Sequence, residues 1–262
     1  MLTPITRDAG TAASRPRIPL AAWLRTLTVR GGSELLLGGT GHLLLSAEEE
    51  ENVVEQLRQG ILPRLFPEGG FTQVCLLTGL APGADLLFAR VLGGWLLERD
   101  IPFRMIGLLP VPPEILLEDW LDSLREAGED DSAAQRQLRR EQIESTLASC
   151  QVIVDLLPPG TGAAKLANKA FREQQYRHLA ACLAQRSDIL VAILRQQNPL
   201  RPGGTAEVVD WRRNPHHIPA EFCTDPPPLP DGAGHRLIVI DPALAYTPSL
   251  SPLPTNVGRG TG

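Results

Sequence analysis

Residues 73–92 read QVCLLTGLAPGADLLFARVL, and this stretch carries the pattern that decides the fold. The run QVCLLTGL is continuous, apolar and partly β-branched, which predicts a buried strand. The glycines and the proline of GLAPG predict a tight turn. The following residues, 81–100, predict a helix whose faces are set by Leu86, Leu87, Arg90 and Val91. The stretch is therefore one strand, turn and helix unit.

Units of the same kind fill most of the chain. Further apolar runs predict strands at 34–39, 103–111, 151–158, 188–196 and 236–243. Segments between them predict helices at 46–66, 113–128, 129–150, 168–187 and 203–213. Strands that are apolar throughout are typical of parallel strands covered on both faces. We therefore predict an α/β protein with a Rossmann-like, three-layer, doubly wound and mainly parallel sheet.

The composition divides the chain into three parts. Half of the 24 prolines lie between Pro199 and Pro254. We predict a loosely structured N-terminal arm over 1–33, a single domain over 34–242 with a Pro-rich loop at 214–234, and a disordered Pro-rich tail over 243–262. Within the arm, residues 18–29 fit either a short helix or an edge strand.

Charge and residue usage exclude several classes of function. The net charge of −5 argues against direct binding to a nucleic-acid backbone. No apolar run approaches the roughly 18 residues that a membrane span needs. The N-terminal residues contain no apolar signal core, so we expect a cytoplasmic protein with reduced cysteines. We also expect no metal and no cofactor, because the His and Cys spacing fits no metal motif.

Glycine-rich loops follow three of the predicted strands. They are Gly38–His42, Thr78–Asp85 and Pro202–Glu207. In an open parallel sheet, ligands bind outside the carboxyl ends of the strands, where helix N-termini offer free N–H groups to an anion. The three loops together predict a phosphate or nucleotide pocket. The chain has neither the P-loop motif nor a complete G-x-G-x-x-G, so ATPase and NAD chemistry are disfavoured.

Five segments, in order along the chain, resemble one known family. TGLAPGAD (78–85) is similar to the Gly-Leu-Ala-x-Gly-Ala-Asp segment of the SLOG superfamily, and GGTGH (38–42) to the Thr-Gly-His-Arg turn of its bacterial sensors. Similar segments cover 108–120, 172–193 and 202–209. The superfamily comprises Rossmann-like domains related to the lonely-guy phosphoribohydrolases, lysine-decarboxylase-like proteins and DNA-processing protein A. The likeness spans residues 34–213.

The resemblance implies a nucleotide-derived ligand, and it leaves the presence of turnover open. Enzymes of the family carry Pro-Gly-Gly-x-Gly-Thr-x-x-Glu, whereas this chain has PGGTAE at 202–207. The shortened spacing turns Glu207, the candidate catalytic residue, by about 100° on a helix. Leu43 also replaces the arginine of the sensor turn. We therefore expect the chain to bind its ligand rather than to cleave a glycosidic bond.

Fifteen residues are the candidate ligand contacts: Gly39, Thr40, Gly41, His42, Thr78, Gly79, Gly83, Ala84, Asp85, Lys165, Lys169, Tyr176, Gly203, Gly204 and Thr205. Thr40 and Thr205 have hydroxyls that suit either a phosphate or a local cap. Asp85 fits either a ribose hydroxyl or backbone N–H groups of the first loop. Tyr176 suits either stacking on a base or core packing.

The two lysines of the chain, Lys165 and Lys169, lie in the loop after the fourth strand predicted from Glu34 onward. We predict that one or both pair with a ligand phosphate. The preferred function is recognition or sensing of a nucleotide-derived small molecule, with no membrane partner. A phosphoribohydrolase is the first alternative, and a ligand-free scaffold acting through its Pro-rich tail is the second. A homodimer or an effector protein is the expected macromolecular partner.

Overall fold

The computed structural model describes residues 16–27, 34–66, 73–129, 132–196, 200–223 and 236–247. Seven strands form one sheet, and each neighbouring pair is parallel. They are β1 Arg17–Pro19, β2 Glu34–Gly41, β3 Gln73–Thr78, β4 Phe103–Leu109, β5 Val152–Asp155, β6 Ile189–Ile193 and β7 Arg236–Ile240. The predicted α/β fold is confirmed.

Helices cover both faces of this sheet. They are α1 Leu20–Leu27, α2 Ala47–Glu55, α3 Leu62–Leu65, α4 Ala84–Leu97, α5 Pro113–Ala127, α6 Ala133–Ser149, α7 Ala163–Leu166, α8 Lys169–Arg186 and α9 Thr205–Arg213. A π-helical segment, Gln56–Ile61, joins α2 to α3. The short 3₁₀ helices Pro215–His217 and Ala220–Phe222 follow α9.

The alternating side chains of the strands build two separate cores. Leu35 and Leu37 of β2 lie in the core under α2–α6, whereas Leu36 lies in the core under α1, α8 and α9. Because successive strand side chains point to opposite faces, a strand buried on both sides must be apolar throughout. This is the three-layer arrangement that the continuous apolar runs predict.

The strand order places a topological switch point beside β2. The order is β1-β5-β4-β3-β2-β6-β7. From β2 the chain advances through β3 and β4 to β5, and it then crosses back to β6 on the other side of β2. In such sheets the loops leaving the two strands at the switch point diverge, and a crevice opens between them. The loops after β2 and β6 are therefore positioned to form a binding site.

The N-terminal segment departs from the predicted loose arm of residues 1–33. Residues 17–27 form β1, which pairs with β5, and α1. Trp23 and Leu24 are buried in the core under α8. Their burial stabilises a segment that is too short to fold alone. The remainder of the arm lies outside the described residues.

Part of the predicted Pro-rich loop and tail is also ordered by packing. Residues 215–222 form two 3₁₀ turns, and Phe222 is buried against Trp211. After β7, Gln56 donates hydrogen bonds to the carbonyls of Asp241 and Leu244 at 3.1 and 2.8 Å. The chain after β7 is thus held, as far as Leu244, against the π-helical segment that follows α2, where the sequence predicts a disordered tail from residue 243. Residues 224–235 and 248–262 lie outside the described part of the chain.

Candidate functional site

A cleft of about 640 Å³ lies at the switch point. Its walls are the end of β2 with the loop after it, Ala81 and Asp85 after β3, one face each of α5 and α8, the loop after β6 and the start of α9. Side chains from both cores reach it, since Trp120 belongs to one core and Leu179 to the other. The cleft therefore runs across the carboxyl edge of the sheet, where the fold rule places a ligand.

Nine of the predicted contacts line this cleft together. They are Thr40, Gly41, His42, Asp85, Lys169, Tyr176, Gly203, Gly204 and Thr205. The other candidates do not line it: Gly39, Thr78, Gly79, Gly83, Ala84, Lys165 and Glu207.

The glycines at the end of β2 and in the loop after β3 allow segments of the protein to pack against each other. A Cβ on Gly39 would lie 2.2 Å from the Phe88 ring, and one on Gly41 would lie 2.3 Å from the Ala84 Cβ. Gly83 has φ +87° and begins α4, and a Cβ there would lie 2.2 Å from the Leu43 carbonyl oxygen. These glycines are needed for close approach of chain to chain. Gly39 and Gly83 are therefore packing residues rather than ligand contacts.

Asp85 ties the same two loops together from inside. The residue is buried, and its carboxyl group accepts backbone hydrogen bonds from Gly41, Ala81 and Gly79. Of its two predicted roles, the structure shows the backbone one. Burial raises the pKa of Asp85 to about 7, and the three N–H donors oppose that shift.

Thr78, at the end of β3, completes this packed region. It is fully buried, and its hydroxyl accepts a hydrogen bond from the Leu80 N–H at 3.2 Å. Ala84 is buried too, and its N–H donates to the His42 carbonyl at 2.9 Å. Thr78 and Ala84 therefore fix the loop after β3 rather than face a ligand.

The loop before α9 presents donors to the cleft. Gly203 has φ +71°. Gly204 is the N-cap residue of α9, so no capping side chain bonds to the first N–H groups of that helix. The N–H groups of Thr205 and Ala206 meet no acceptor in the described structure, as expected for the first turn of a helix. The Thr40 and Thr205 side chains are more than nine-tenths buried, line the cleft and have no hydrogen-bond partner in the described residues. These groups form an unfilled donor set.

Arg201 adds a positive charge beside these donors. It is exposed, lines the cleft and forms no ion pair within the described part of the chain. The sequence reasoning missed it, although it directly precedes the PGGT motif. An arginine next to a helix N-terminus is suited to binding a phosphate, because its N–H groups and the helix dipole favour the same charge.

Glu207 faces away from the cleft. Its carboxylate accepts hydrogen bonds from Arg177 at 3.0–3.3 Å and from the Gly203 N–H at 2.7 Å. The Arg177 guanidinium lies 5.3 Å from the Trp211 ring centroid and 4.7 Å from that of Phe222. Glu207 therefore holds the Gly203 turn in place, and the geometry assigns it no contact with a bound sugar.

The wall opposite α9 is anchored by one carboxylate. Asp119 accepts a hydrogen bond from the Tyr176 hydroxyl at 2.9 Å and forms an ion pair with Arg172 at 2.8 Å. Burial and Asp119 raise the pKa of Tyr176 well above its ordinary value, so the hydroxyl stays protonated. Asp119 and Arg172 were missed because they form a pair only when α5 and α8 lie side by side.

The two lysines differ in position. Lys165 lies on α7 outside the cleft, where its residue is exposed. Lys169 lies at the rim, with its side chain 74% exposed and 3.8 Å from the Glu126 carboxylate. The common phosphate role predicted for the pair is therefore open only to Lys169.

A second ion pair joins the loops on either side of the switch point. The Arg195 guanidinium donates to both Glu49 oxygens at 2.6 Å and to the Leu44 carbonyl at 3.0 Å. The Arg195 N–H donates to Nε2 of His42 at 2.9 Å. We call this set the His42–Arg195 clasp. No sequence pattern points to Arg195, which meets His42 and Glu49 only through the pairing of β2 with β6.

Comparisons of the sequence with protein-family models and with curated proteins found no match. None of the helices in the described residues is long and apolar enough to cross a membrane.

Proposed function

We propose that the cleft binds a nucleotide or a nucleotide-derived small molecule and that the chain acts as a sensor of that molecule. The observation that carries the proposal is the unfilled donor set at the start of α9. The cleft is lined by Thr40 and Thr205, whose hydroxyls have no partner in the described residues, and by Arg201, which forms no ion pair there. The free N–H groups of the first turn of α9 begin at Thr205, on the same wall. A phosphate group accepts hydrogen bonds from all of these donors and complements their charge.

The remainder of the cleft suits a base or sugar. Leu116, Trp120 and Tyr176 line its inner wall, and polar side chains stand at its rim. A volume of about 640 Å³ falls in the range of small-molecule sites, roughly 300–1,000 Å³. An apolar wall opposite a donor-rich end matches a molecule that is apolar at one end and anionic at the other.

Binding without glycosidic cleavage is preferred because of Glu207. Both of its oxygens are engaged, one with Arg177 and the other with Arg177 and the Gly203 N–H. A carboxylate that stabilises positive charge on a ribose must face the sugar, and Glu207 faces α8. Membership of the SLOG superfamily, of its bacterial sensor type, is part of the same proposal and rests on the five sequence segments.

The direct test is calorimetry of the full chain with nucleoside mono-, di- and cyclic phosphates, with inorganic phosphate as a reference. We expect at least one nucleotide to bind and Arg201→Ala to weaken binding by about 10- to 100-fold, since a charge-assisted hydrogen bond contributes about 1.5–3 kcal/mol. The matched control is Arg213→Ala, because Arg213 is exposed at the C-terminal end of α9 and does not line the cleft.

Three outcomes would count against this proposal. Absence of binding to every nucleotide of the panel would favour the scaffold. Release of free base from a nucleoside monophosphate, abolished by Glu207→Gln, would establish the phosphoribohydrolase instead. Equal weakening by Arg201→Ala and Arg213→Ala would move the site away from the start of α9.

A further inference from the structure

We propose that His42 is a specificity-determining residue, a neutral hydrogen-bond donor that reads an uncharged acceptor on the ligand through Nδ1–H. The acceptor is a sugar oxygen or a base carbonyl, not the phosphate. The inference rests on the proposed function and concerns a different part of the ligand. It starts from the His42–Arg195 clasp.

The clasp fixes the tautomer of His42. A backbone N–H is always a donor, so the Arg195 N–H at 2.9 Å requires an unprotonated Nε2. The neutral ring must then carry its proton on Nδ1. The ring lines the cleft, and Nδ1 has no partner in the described part of the chain. One edge of the imidazole is therefore committed to the protein, and the other offers a donor.

The backbone of His42 holds the ring in this position. Its N–H donates to the Ile193 carbonyl at 3.3 Å, and its carbonyl accepts from the Ala84 N–H at 2.9 Å. The Arg195 guanidinium donates a hydrogen bond to the carbonyl of Leu44, which lies two residues after His42. The end of β6 and the start of α4 therefore both constrain the residue, which limits the orientations that the ring can adopt.

The charges around His42 keep it neutral. Burial lowers the pKa of His42, and the positive charge of Arg195 lowers it further. Glu49 and Asp241 act in the opposite direction, but Glu49 is itself paired with Arg195. Asp85 lies behind the same turn, where it accepts from the Gly41 N–H. A neutral N–H adds no charge to attract a phosphate, whereas it matches an uncharged acceptor.

The tautomer is measured without any ligand. We expect ¹⁵N spectra of the histidines of the full chain at pH 7 to include a neutral ring with the proton on Nδ1 that belongs to His42, beside the signal of His217, whose Nδ1 donates to the Asp210 carboxylate at 2.9 Å. The His42 signal disappears in His42→Gln and persists in His178→Gln, a control outside the cleft. A proton on Nε2 of His42, or an imidazolium at pH 7, would overturn the inference.

Two substitutions separate the two edges of the ring. The Gln amide reaches the Nε2 position, so His42→Gln keeps an acceptor for Arg195 and loses the Nδ1 donor. The Asn amide lies near Nδ1, so His42→Asn keeps the donor and loses the acceptor. We expect His42→Gln to melt near the wild-type temperature and His42→Asn to melt lower.

The binding of two probes, AMP and inorganic phosphate, is then compared between wild type, His42→Gln and His42→Asn. We expect His42→Gln to weaken AMP binding about tenfold, with less loss in His42→Asn, and to leave inorganic phosphate binding near the wild-type value. Equal weakening of both probes would show that His42 acts on the phosphate or only on the fold, and unchanged AMP binding would show that it touches no ligand. If wild type binds neither probe nor any other nucleotide of the panel, the proposed function fails and the donor role with it, whereas the ¹⁵N spectra still decide the tautomer.

Discussion

Two glycine-rich regions meet at the edge of this sheet, and they use glycine for different purposes. In the first, the end of β2 and the loop after β3, a Cβ on Gly39, Gly41 or Gly83 would collide with atoms of the protein at 2.2–2.3 Å. In the second, the loop before α9, Gly203 and Gly204 leave the first N–H groups of a helix facing the cleft. The glycines of the first region are packed against other parts of the protein, although Thr40 and His42 beside them line the cleft, whereas the second region is open to the cleft.

A cluster of glycines indicates that other atoms approach the backbone closely. It does not indicate whether those atoms belong to another part of the chain or to a ligand. Both regions follow parallel strands, and both have a residue with positive φ, Gly83 and Gly203. They differ in their polar groups. In the first region Asp85 accepts the backbone N–H groups of both loops, whereas in the second the N–H groups of Thr205 and Ala206 are free of protein acceptors.

The largest effect is expected for Gly83→Ala. The new Cβ would lie 2.2 Å from the Leu43 carbonyl at φ +87°, so both strain and collision oppose it. We expect the free energy of unfolding to fall by about 3–5 kcal/mol, measured by urea denaturation. The matched control is Gly128→Ala, with φ +71° and no atom within 4 Å of the new Cβ, which should lose only about 1 kcal/mol. Equal losses would contradict the idea that the first region is closely packed.

A smaller effect is expected from the titration of Asp85. Its pKa rises from 3.8 to about 7 on folding, so the folded protein holds this proton more tightly than the unfolded chain does. The stability that it contributes is therefore complete below pH 4 and is lost as the pH rises through 7. We expect the free energy of unfolding of wild type to decline relative to Asp85→Asn by on the order of 3 kcal/mol between pH 4 and 8.

Denaturation curves of the two proteins across that pH range measure this slope. The Asn amide also changes the free energy of unfolding by an amount that is the same at every pH. This constant amount does not affect how the difference between the two proteins varies with pH. A relative stability that rises with pH would mean that the three N–H donors outweigh burial, and Asp85 would then act as a permanent anion in the first region.

The smallest effect is expected in the second region, at Glu207. Glu207→Ala leaves the Gly203 N–H and Arg177 without their acceptor, so we expect a loss of about 2 kcal/mol in stability. Glu207→Gln keeps an acceptor oxygen and should lose about half as much. Nucleotide affinity should follow the same order, because Glu207 acts by holding the turn. A Gln variant that is as stable as wild type but has lost all affinity would instead place Glu207 in contact with the ligand.

The regular elements were predictable because each one carries its own pattern. The apolar runs at 34–39, 103–111 and 188–196 contain β2, β4 and β6, and the Ser46 capping box predicts the start of α2. The sequence leaves residues 18–29 open between a short helix and an edge strand, and the structure has both, β1 followed by α1, because this segment depends on β5 and on the core under α8. Short segments take their conformation from what they pack against.

The site was predictable only in part. The three glycine-rich loops are predictable because glycines and the ends of apolar runs can be read directly from the sequence. Asp119, Arg172 and Arg195 were missed because each belongs to a pair whose members lie 53 or more positions apart. Glu207 is the candidate catalytic residue of the alternative enzyme function because its position in the motif is visible in the sequence, whereas its ion pair with Arg177 is not.

The sequence by itself determined the order of strands and helices, the burial of the strands on both faces and the edge at which a ligand would bind. The elements and their burial follow from hydrophobic periodicity, which is a local property of the sequence. The ligand-binding edge follows from a rule that applies to open parallel sheets in general. Only the tertiary structure decided which glycine loop is open and that Glu207 faces away from the cleft. It also fixed the proton of His42 on Nδ1. These depend on contacts between residues far apart in the chain, since hydrogen bonding and steric collision are set by distance in space.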